Sequence, residues 1–328
     1  MKYRKFGNFN WEVSEIGFGA WAIGGDMWGP QDDCESANAL RKALDLGINF
    51  IDTAQGYGKG HSEEIIGRVL KERKEEIFIA TKIPPMEGTP WPPPENFDVQ
   101  KSFPPDYIIE RCEGSLKRLG RDYIDVYQFH SWAPAFNLRD EWFEAMLKLK
   151  EQGKIRAIGV SVHDTTPDSV IGALAFDKVD VVQVIYNIFE QYPSFSLLPV
   201  CKRLNKAVIV RVPFDEGSLT GKFTINTKFP EGDVRQHYFR GNNLKAVIER
   251  VEEIRKFKNK NYPDMNMSEY ALRFCLNNDS VSTVIPGIRN VIQAELNTAA
   301  SDGNIFSNEE AEGLKNFYWR KDLWREEV

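Results

Sequence analysis

The sequence predicts an α/β fold in the form of a (β/α)8 TIM barrel, on three observations. Eight short, apolar, β-branched runs recur along the 328 residues, and most of them are continuous rather than alternating. Such runs are typical of parallel strands that are covered on both faces. Segments with helical spacing of apolar residues lie between them, as in an alternating barrel. No GxGxxG turn follows the first run, which weighs against the alternative of a doubly wound sheet.

Local signals place these elements in order along the chain. The predicted strands are Ile16–Ala20, Ile48–Asp52, Ile77–Thr81, Tyr123–Phe129, Ile155–Val160, Val181–Tyr186, Ala207–Val212 and Thr283–Pro286. The predicted helices are Asp33–Leu46, Ser62–Leu70, Asp106–Gly120, Leu138–Gln152, Thr165–Ala175, Ser194–Asn205, Leu244–Phe257, Ser268–Asn277 and Val291–Ala300. Gly47 ends the first helix, and Glu63 and Glu64 favour the start of the second because acidic side chains stabilise the positive end of a helix.

Three segments interrupt the alternation. Residues 1–15 precede the first strand, and we expect them to form a hairpin that caps the barrel. The proline-rich stretch Lys82–Tyr107 and residues 214–243 are long loops that each follow a predicted strand. Active sites of barrels lie at the carboxyl-terminal ends of the strands, so both loops are expected at the rim beside the site. We expect residues 1–328 to form a single barrel domain, since barrels of this length are common.

Composition weighs against several classes of protein. The net charge is 42 − 48 = −6, so the chain lacks the basic field that a nucleic-acid-binding surface needs. It has no apolar run of about 18 residues that could cross a membrane, and no apolar signal segment at its start. The four cysteines are far apart, form no metal spacing and favour reduced thiols in a cytoplasmic protein without a metal site. The mild negative charge and the lack of heptads favour a monomer.

Four polar residues lie at or just after the ends of the second, third and fourth predicted strands. They are Asp52, Tyr57, Lys82 and His130. Strand ends converge at one rim, so a carboxylate, a phenol, an amine and an imidazole are expected in one pocket. An ammonium group favours the ionised form of a neighbouring phenol, whose ordinary pKa is about 10, and a carboxylate can hold that ammonium in place. With a histidine on a carbonyl oxygen, this set could protonate an alkoxide as it forms.

These residues also have structural explanations when each is taken alone. Asp52 could cap a helix, Tyr57 could be a loop aromatic, and Lys82 could lie on the surface at a strand end. His130 could be a structural histidine that is satisfied by hydrogen bonds. The presence of all four at one rim favours catalysis, and the hydride would then come from a cofactor because no side chain supplies one.

Six stretches in a fixed order carry a resemblance that covers nearly the whole chain. They are Ile16–Trp21 (IGFGAW), Asn49–Gly58 (NFIDTAQGYG), Ser115–Asp125 (SLKRLGRDYID), Gly153–Ser161 (GKIRAIGVS), Gly217–Lys222 (GSLTGK) and Ile285–Arg289 (IPGIR). With these motifs the chain resembles the aldo-keto reductases. The resemblance implies a barrel reductase that binds NADP(H) in an extended form, without a Rossmann domain, and reduces aldehydes or ketones to alcohols by hydride transfer.

The resemblance also implies a role for each of the four polar residues. The family's tetrad maps onto Asp52, Tyr57, Lys82 and His130. Tyr57 would be the general acid in reduction and the general base in oxidation. Lys82, paired with Asp52, would lower the pKa of Tyr57, and His130 would orient the carbonyl.

Cofactor contacts implied by the resemblance run around the rim. The contacts at the ends of the first two strands are Gly19, Trp21 and Asp52. The contacts beside the nicotinamide amide are Ser161 and Gln183. Around the pyrophosphate, with backbone amides, they are Pro213, Phe214, Gly217, Ser218, Leu219, Gly221 and Lys222. At the adenosine phosphate and adenine they are Gly287, Ile288, Arg289, Gln293 and Asn297. An ordinary turn is the alternative interpretation of the glycine-containing loop.

Two positions depart from the family pattern. Val162 stands where the family commonly has an asparagine, and its side chain can neither donate nor accept a hydrogen bond. Arg211 stands where the family often places an aromatic side chain on the nicotinamide. A guanidinium plane can also stack, so we predict that Arg211 contacts the nicotinamide or the substrate. The alternative is a barrel arginine that pairs with an acid.

Cofactor preference and substrate are inferred from fewer residues. Arg289 is a suitable partner for a 2′-phosphate, which favours NADP(H) over NAD(H). The residues expected to line the substrate pocket are Trp21, Tyr57, Trp91, His130 and Trp132. Their aromatic character suggests a bulky or aromatic aldehyde or ketone, although plain packing is the alternative for each tryptophan.

Two other classes of function stay open at this point. Some relatives of the family serve as cofactor-sensing accessory subunits of a channel and turn over little substrate. No recruiting tail or coiled coil favours that role here. A hydrolase or a metal-dependent isomerase on the same barrel is the third alternative, but no HxH motif or carboxylate cluster offers metal ligands at the strand ends.

Overall fold

A computed structural model describes residues 1–328 and confirms the predicted barrel. Eight parallel strands are hydrogen-bonded to one another in chain order. The N–H groups of Gly17 and Gly19 donate to the carbonyl oxygens of Val284 and Pro286, at 2.8 and 3.0 Å. These bonds join the first barrel strand to the eighth and close the sheet.

The predicted elements occur in the predicted order, and most of their ends shift by up to four residues. The helix predicted at Thr165–Ala175 is an α-helix only over Ile171–Ala175, and the helices at Val99–Ser102, Arg235–Tyr238 and Asn308–Leu314 were not predicted. The strands are β1 Tyr3–Lys5, β2 Glu12–Ser14, β3 Phe18–Gly19, β4 Phe50–Asp52, β5 Phe78–Ile83, β6 Ile124–Phe129, β7 Ile155–Ser161, β8 Val181–Ile185, β9 Ala207–Arg211 and β10 Thr283–Val284. The helices are α1 Asp33–Asp45, α2 His61–Leu70, α3 Val99–Ser102, α4 Pro105–Leu119, α5 Glu141–Glu151, α6 Ile171–Ala175, α7 Leu197–Arg203, α8 Arg235–Tyr238, α9 Asn243–Asn261, α10 Met267–Leu276, α11 Val291–Ala299 and α12 Asn308–Leu314. None of the helices combines the length and the apolar character of a membrane span.

The barrel strands are buried on both faces, which explains their continuous apolar sequences. Every residue of β5 and of β6 is buried. Side chains on the outer face pack against the surrounding helices in a core cluster of 71 buried residues. The strands therefore form a rigid support, and polar side chains can be tolerated mainly where the strands end.

The predicted N-terminal hairpin is present and closes the amino-terminal end of the barrel. Strands β1 and β2 pair antiparallel, with Arg4 opposite Val13. Phe6 and Trp11 pack on a separate cluster formed by inward-facing residues of six strands. Those residues are Phe50, Phe78, Val126, Ala157, Val181 and Ala207. The site must therefore open at the opposite, carboxyl-terminal rim.

The long loops at that rim contain short helices and contact one another. Helix α3 lies in the proline-rich loop, and α8 lies in the loop that follows β9. The N–H of Val234 donates to the carbonyl of Met27 at 3.0 Å, and the guanidinium of Arg235 lies 4.6 Å from the ring of Trp28. The loops after the first and seventh barrel strands are thus joined over one side of the rim.

Candidate active site

Lys82 is the centre of the polar cluster at the carboxyl-terminal rim. Its Nζ donates to Asp52 Oδ2 at 2.6 Å, to the carbonyl of Thr53 at 2.9 Å and to the hydroxyl of Tyr57 at 3.0 Å. The side chain is only 1% exposed. The rings of Tyr57 and His130 meet edge to face, with centroids 5.6 Å apart. The four side chains predicted to act together therefore lie in one cluster.

Strand ends position three of these side chains. Asp52 is the last residue of β4, Lys82 is the penultimate residue of β5, and His130 directly follows β6. The N–H of His130 donates to the carbonyl of Ile83 at 3.0 Å, which continues the sheet one residue past the strand. The backbone of the barrel thus fixes the separation of the carboxylate, the ammonium and the imidazole.

Tyr57 is positioned by a tight turn instead of a strand. The next residue, Gly58, has a left-handed φ of 61°. A Cβ at Gly58 would lie 2.2 Å from the carbonyl oxygen of Gly24, so only glycine permits this close approach. The ring of Trp21 lies against the ring of Tyr57, with centroids 6.0 Å apart. The first loop of the barrel therefore supports the phenol from one side.

Burial has the largest influence on the pKa of Tyr57, of Lys82 and of His130. It raises the pKa of Tyr57, and Lys82 offsets only part of that effect. Lys82 thus lowers the pKa of Tyr57, as the resemblance implied, but burial has the larger effect and the net shift is upward. Burial alone would lower the pKa of Lys82, but Asp52 and Tyr57 more than compensate and the net shift is upward. Burial, with Lys82 and Arg211, holds the pKa of His130 well below its usual range, so its imidazole is neutral.

Two glutamines complete the surroundings of Asp52. Nε2 of Gln183 donates to Asp52 Oδ1 at 2.7 Å, and Nε2 of Gln128 donates to the same oxygen at 3.3 Å. Gln183 was predicted to bind the nicotinamide amide, and its own amide nitrogen is thus engaged by the tetrad carboxylate. Ser161 is buried and lies opposite Gln183 in the register of β7 and β8.

The two departures from the family pattern contact each other. Nη2 of Arg211 donates to the carbonyl of Val162 at 3.1 Å and to Asp164 Oδ1 at 2.5 Å. The pairing of Arg211 with an acid is the alternative that the sequence left open. The N–H of Val162 donates to the carbonyl of Gln183 at 2.9 Å. A guanidinium from β9 thus contacts the backbone of the residue that stands in place of the asparagine.

The glycine-containing loop after β9 is held together by its own backbone. The N–H groups of residues 217–221 donate to carbonyl oxygens of residues 214–218. These amides, predicted to wrap a pyrophosphate, are thus engaged within the loop and do not point to a ligand as free donors. Pro213, Ser218 and Leu219 are buried, Phe214, Gly217 and Gly221 are half-buried, and Lys222 is exposed.

Arg289 is fully engaged at the end of the eighth barrel strand. Its guanidinium donates to Gln31 Oε1 at 2.7 Å and to the carbonyl oxygens of Trp28 and Pro30 at 3.1 and 2.9 Å. Burial lowers its pKa, and the neighbouring Arg235 acts in the same direction. Arg289 therefore holds the first loop of the barrel in the structure.

The other residues predicted near the adenosine lie beside Arg289. Gln293 Oε1 accepts from the backbone N–H of Arg289 at 2.7 Å. Nδ2 of Asn297 lies 3.5 Å from the carbonyl of Gly287. The N–H of Ile288 donates to the carbonyl of Gly19 at 3.3 Å, across the closure of the barrel. Gly287 itself is exposed, and a Cβ there would meet nothing within 4 Å.

Of the three tryptophans predicted to line the substrate pocket, two lie at the cluster. Trp21 contacts Tyr57, and the ring of Trp91 meets His130 edge to face at 5.3 Å while the residue stays 62% exposed. Trp132 is instead fully buried in an aromatic cluster. That cluster also contains Phe129, Phe136 and Trp142. The structure therefore does not bring Trp132 to the site, and packing accounts for it.

Sequence reasoning missed an acidic pair at this rim. Asp215 and Glu216 are both buried in the loop after β9. Burial raises the pKa of Glu216 to about 8, and Asp215 and Asp164 act in the same direction. The only sequence signal was the presence of two adjacent acids directly before the glycine-containing stretch of residues 217–221.

Several buried polar atoms at the rim fit a polar ligand. Nε1 of Trp21, Oε1 of Gln55 and Nε of Arg211 are buried and lack a hydrogen-bond partner. Unpaired donors and acceptors of this kind are costly unless a ligand or water satisfies them. A carboxamide both donates and accepts, so a nicotinamide ring is compatible with this set of atoms.

Comparison with known proteins assigns the family. The model of the Aldo/keto reductase family matches residues 15–318. Aldo-keto reductase YhdN of Bacillus subtilis is 35% identical over 299 residues, which are 90% of this chain and 87% of that protein. The NADH-specific methylglyoxal reductase of Escherichia coli is 34% identical and covers 77% of this chain and 79% of its own length.

A solved structure shows the same architecture. The glycerol dehydrogenase of Gluconobacter oxydans superposes with a TM-score of 0.80 at 30% identity, over 96% of this chain and 94% of that chain. Sequence and structure therefore agree along almost the entire length. The chain belongs to the aldo-keto reductase family, whose members are oxidoreductases that reduce carbonyl groups.

Proposed function

We propose that this protein is an NADP(H)-dependent reductase of aldehydes or ketones in which Tyr57 is the general acid. The observation that carries the proposal is the pair of hydrogen bonds from Lys82 Nζ to Asp52 and to the Tyr57 hydroxyl. A buried ammonium held by a carboxylate fixes the phenol and stabilises the phenolate that proton donation leaves behind.

The side chains divide the chemistry of reduction among them. A bound nicotinamide would supply the hydride to the carbonyl carbon. Tyr57 gives its proton to the carbonyl oxygen, and Lys82 stabilises the resulting phenolate. His130, as a neutral imidazole, donates a hydrogen bond to the same oxygen and orients the carbonyl. Because burial raises the pKa of Tyr57, the phenol holds its proton at neutral pH, as a proton donor must.

The preference for NADP(H) is supported by the residues at the end of the eighth barrel strand. The planar guanidinium of Arg289 matches a phosphate, and Gln293 and Asn297 lie beside it on α11. A 2′-phosphate would compete with the loop carbonyls that Arg289 now binds. Since one relative is named as NADH-specific, the two cofactors must be compared directly.

The walls of the site favour an aromatic or bulky carbonyl substrate. Trp21 lies against Tyr57 on one side, and Trp91 lies against His130 on the other. Trp21 offers apolar area next to the proton donor Tyr57, and Trp91 offers it next to His130. A flat or bulky apolar substituent on the carbonyl would gain from contact with them.

The candidate residues all come from one chain and one barrel. We infer that residues 1–328 act as a single domain and that a monomer carries a complete site. None of the four cysteines is paired in a disulfide, and three of them are buried. This pattern supports a reducing, cytoplasmic environment.

The test is to measure whether the purified protein converts carbonyls at the expense of NADPH. Aromatic and aliphatic aldehydes are offered with NADPH or NADH, and both cofactor oxidation and alcohol formation are followed. We expect one alcohol per oxidised cofactor, with aromatic aldehydes preferred. Tight NADPH binding without any alcohol would contradict the proposal and favour the cofactor-sensing role of some relatives.

A further inference from the structure

We propose that Lys321 is a positioning residue that fixes the cofactor loop, residues 213–222, by pairing with Asp215 inside an aromatic cage. Lys321 belongs to the C-terminal segment, residues 318–328, which no sequence motif connects to the site. The inference rests on the proposed function and on the resemblance to the aldo-keto reductases, which implies that residues 213–222 contact the cofactor.

Asp215 joins three parts of the chain through one buried carboxylate. Its oxygens accept from Lys321 Nζ, from the hydroxyl of Tyr238 at 3.0 Å and from the hydroxyl of Ser218 at 2.8 Å. These donors belong to the C-terminal segment, to α8 and to the cofactor loop itself. The side chain is 3% exposed, so the carboxylate depends on these donors for the solvation that it loses.

Lys321 is as deeply buried as its partner. Its side chain is 5% exposed, and Nζ also lies 3.0 Å from the Tyr238 hydroxyl. Three aromatic faces surround the ammonium. The centroids of Phe189, Trp319 and Tyr238 lie 5.4, 5.5 and 5.6 Å from Nζ. The three aromatic faces and the carboxylate together favour a cation at this place.

The C-terminal segment is itself anchored on both sides of Lys321. The N–H of Trp319 donates to the carbonyl of Phe189 at 2.9 Å, and the guanidinium of Arg250 lies 4.2 Å from the Trp319 ring. Beyond Lys321, Nη1 of Arg240 donates to the carbonyl of Leu323 at 2.8 Å. Lys321 therefore connects Asp215 to a fixed point of the structure.

The cofactor loop needs such a fixed point because its backbone is strained. Val212, Asp215 and Glu216 have left-handed φ values of 53°, 48° and 55°, a region that residues other than glycine rarely adopt. Such conformations persist only where the surrounding structure holds them. The side chain of Asp215 lies in the middle of the strained stretch, so its hydrogen bonds are placed to maintain this backbone.

A cofactor held by this loop should be released faster when the ion pair is lost. The tetrad residues lie on β4 and β5, directly after β6 and in the turn after β4, whereas the polar partners of Lys321 are Asp215 and Tyr238. Loss of the pair should thus change cofactor release and leave the chemical step nearly unchanged. A generally disturbed fold would instead affect both.

The experiment compares Lys321→Met with wild type in the full chain. NADPH dissociation is measured by stopped-flow fluorescence, and the chemical step by a single turnover with a saturating aldehyde. We expect dissociation to become about tenfold faster or more, with a single-turnover rate within about twofold of wild type. Lys321→Arg, which keeps the charge, should restore much of the slow release.

Two further variants separate positioning from stability. Lys315→Met is the control, because Lys315 is 62% exposed in the preceding turn and pairs only with Glu312. It should release NADPH at the wild-type rate. The double variant Lys321→Met, Asp215→Asn leaves no unpaired buried charge, so it should fold even where Lys321→Met does not, and it should still release NADPH quickly.

The outcomes for the inference and for the proposed function are distinct. Slow release of NADPH by both the double variant and Lys321→Met would overturn the positioning role while leaving cofactor binding intact. An equal acceleration in Lys315→Met would also overturn it. Failure of the wild-type protein to bind NADPH would instead overturn the proposed function, and this inference with it.

Discussion

At the scale of single residues, burial and ion pairing together set the protonation states of the cluster around Lys82. Burial raises the pKa of Tyr57 and lowers that of His130, so at neutral pH the phenol is protonated and the imidazole is uncharged. Lys82 keeps its charge because Asp52 compensates for the loss of solvent. The cluster thus holds one mobile proton, on Tyr57, next to one fixed positive charge.

Glu216 gives a prediction about pH and stability. Its carboxyl is buried, and its pKa of about 8 lies above the ordinary value of 4.5. Between these values the folded protein keeps a proton that the unfolded chain releases, so the free energy of unfolding falls as the pH rises. Glu216→Gln removes this penalty and should gain up to a few kcal/mol over wild type between pH 5 and about 9.

Urea unfolding of both proteins at several pH values measures this difference. Glu231→Gln serves as the control, since Glu231 is exposed in the same long loop. Its difference from wild type should not change with pH. A Glu216→Gln difference that stays constant from pH 5 to about 9 would show that Glu216 titrates like an exposed acid.

Single residues also show where prediction from sequence ends. Asp52 and Lys82 could be predicted because apolar strands lead directly to them, and strand ends of a barrel converge. Lys321 could not, because 106 residues separate it from Asp215 and no periodic pattern marks either position. The net upward shift of the Tyr57 pKa was not predicted for a related reason: the burial that outweighs the neighbouring ammonium arises only in the folded chain.

At the scale of elements, the N-terminal hairpin acts as the floor of the barrel. Trp11 is 5% exposed and lies 5.2 Å from the ring of Phe78, centroid to centroid. The guanidinium of Arg156 lies 4.3 Å from the centroid of the Trp11 ring. The hairpin thus supplies the apolar contacts that the inward-facing strand residues need at the end opposite the site.

Truncation of the Trp11 side chain should lower the free energy of unfolding and leave the turnover of the folded protein unchanged. Trp11→Ala is expected to lower the free energy of unfolding by about 3–5 kcal/mol, because it leaves a cavity between the hairpin and the strands. Urea unfolding measures the loss, and the turnover of the protein that remains folded should match wild type. Tyr3→Ala, at an exposed position of the same hairpin, is the control. A selective loss of turnover in Trp11→Ala would contradict the assignment of the site to the opposite rim.

Elements differ in how well the sequence specifies them. The barrel strands were predictable because burial on both faces leaves continuous apolar runs. Helix α12 was not predicted, since its seven residues bury few side chains and follow an irregular segment. The short helices α3 and α8 were not predicted either, and α8 packs against the loop after the first barrel strand. Trp132 follows β6 as a rim residue would, but the helices around it enclose its ring.

At the scale of the whole molecule, closure of the barrel brings the residues after the eighth barrel strand next to the loop after the first. Arg289 follows the eighth barrel strand and binds carbonyl oxygens of the loop after the first. The same side chain is the proposed partner of a 2′-phosphate. On this proposal, the same guanidinium of Arg289 both selects the cofactor and holds the first loop in place.

This link gives a prediction for cofactor preference. Arg289→Met should weaken NADPH binding by about tenfold or more, the worth of a charged hydrogen bond, and should affect NADH less. The two dissociation constants are measured by fluorescence titration and compared as a ratio. Loosening of the first loop should weaken the binding of both cofactors alike, so it cancels in this ratio. Arg139→Met, at an exposed surface position, is the control. An unchanged ratio would contradict the role of Arg289 in recognising the phosphate.

The central claim is that Tyr57 donates the proton in carbonyl reduction, and its most direct test is turnover by Tyr57→Phe. The variant keeps the ring and loses only the hydroxyl that Lys82 binds. Aldehyde reduction and NADPH affinity are measured beside wild type and beside Tyr3→Phe, which loses a distant phenolic hydroxyl. We predict a loss of kcat of about a hundredfold or more in Tyr57→Phe, with NADPH affinity retained. Wild-type turnover by Tyr57→Phe with intact cofactor binding would contradict the account.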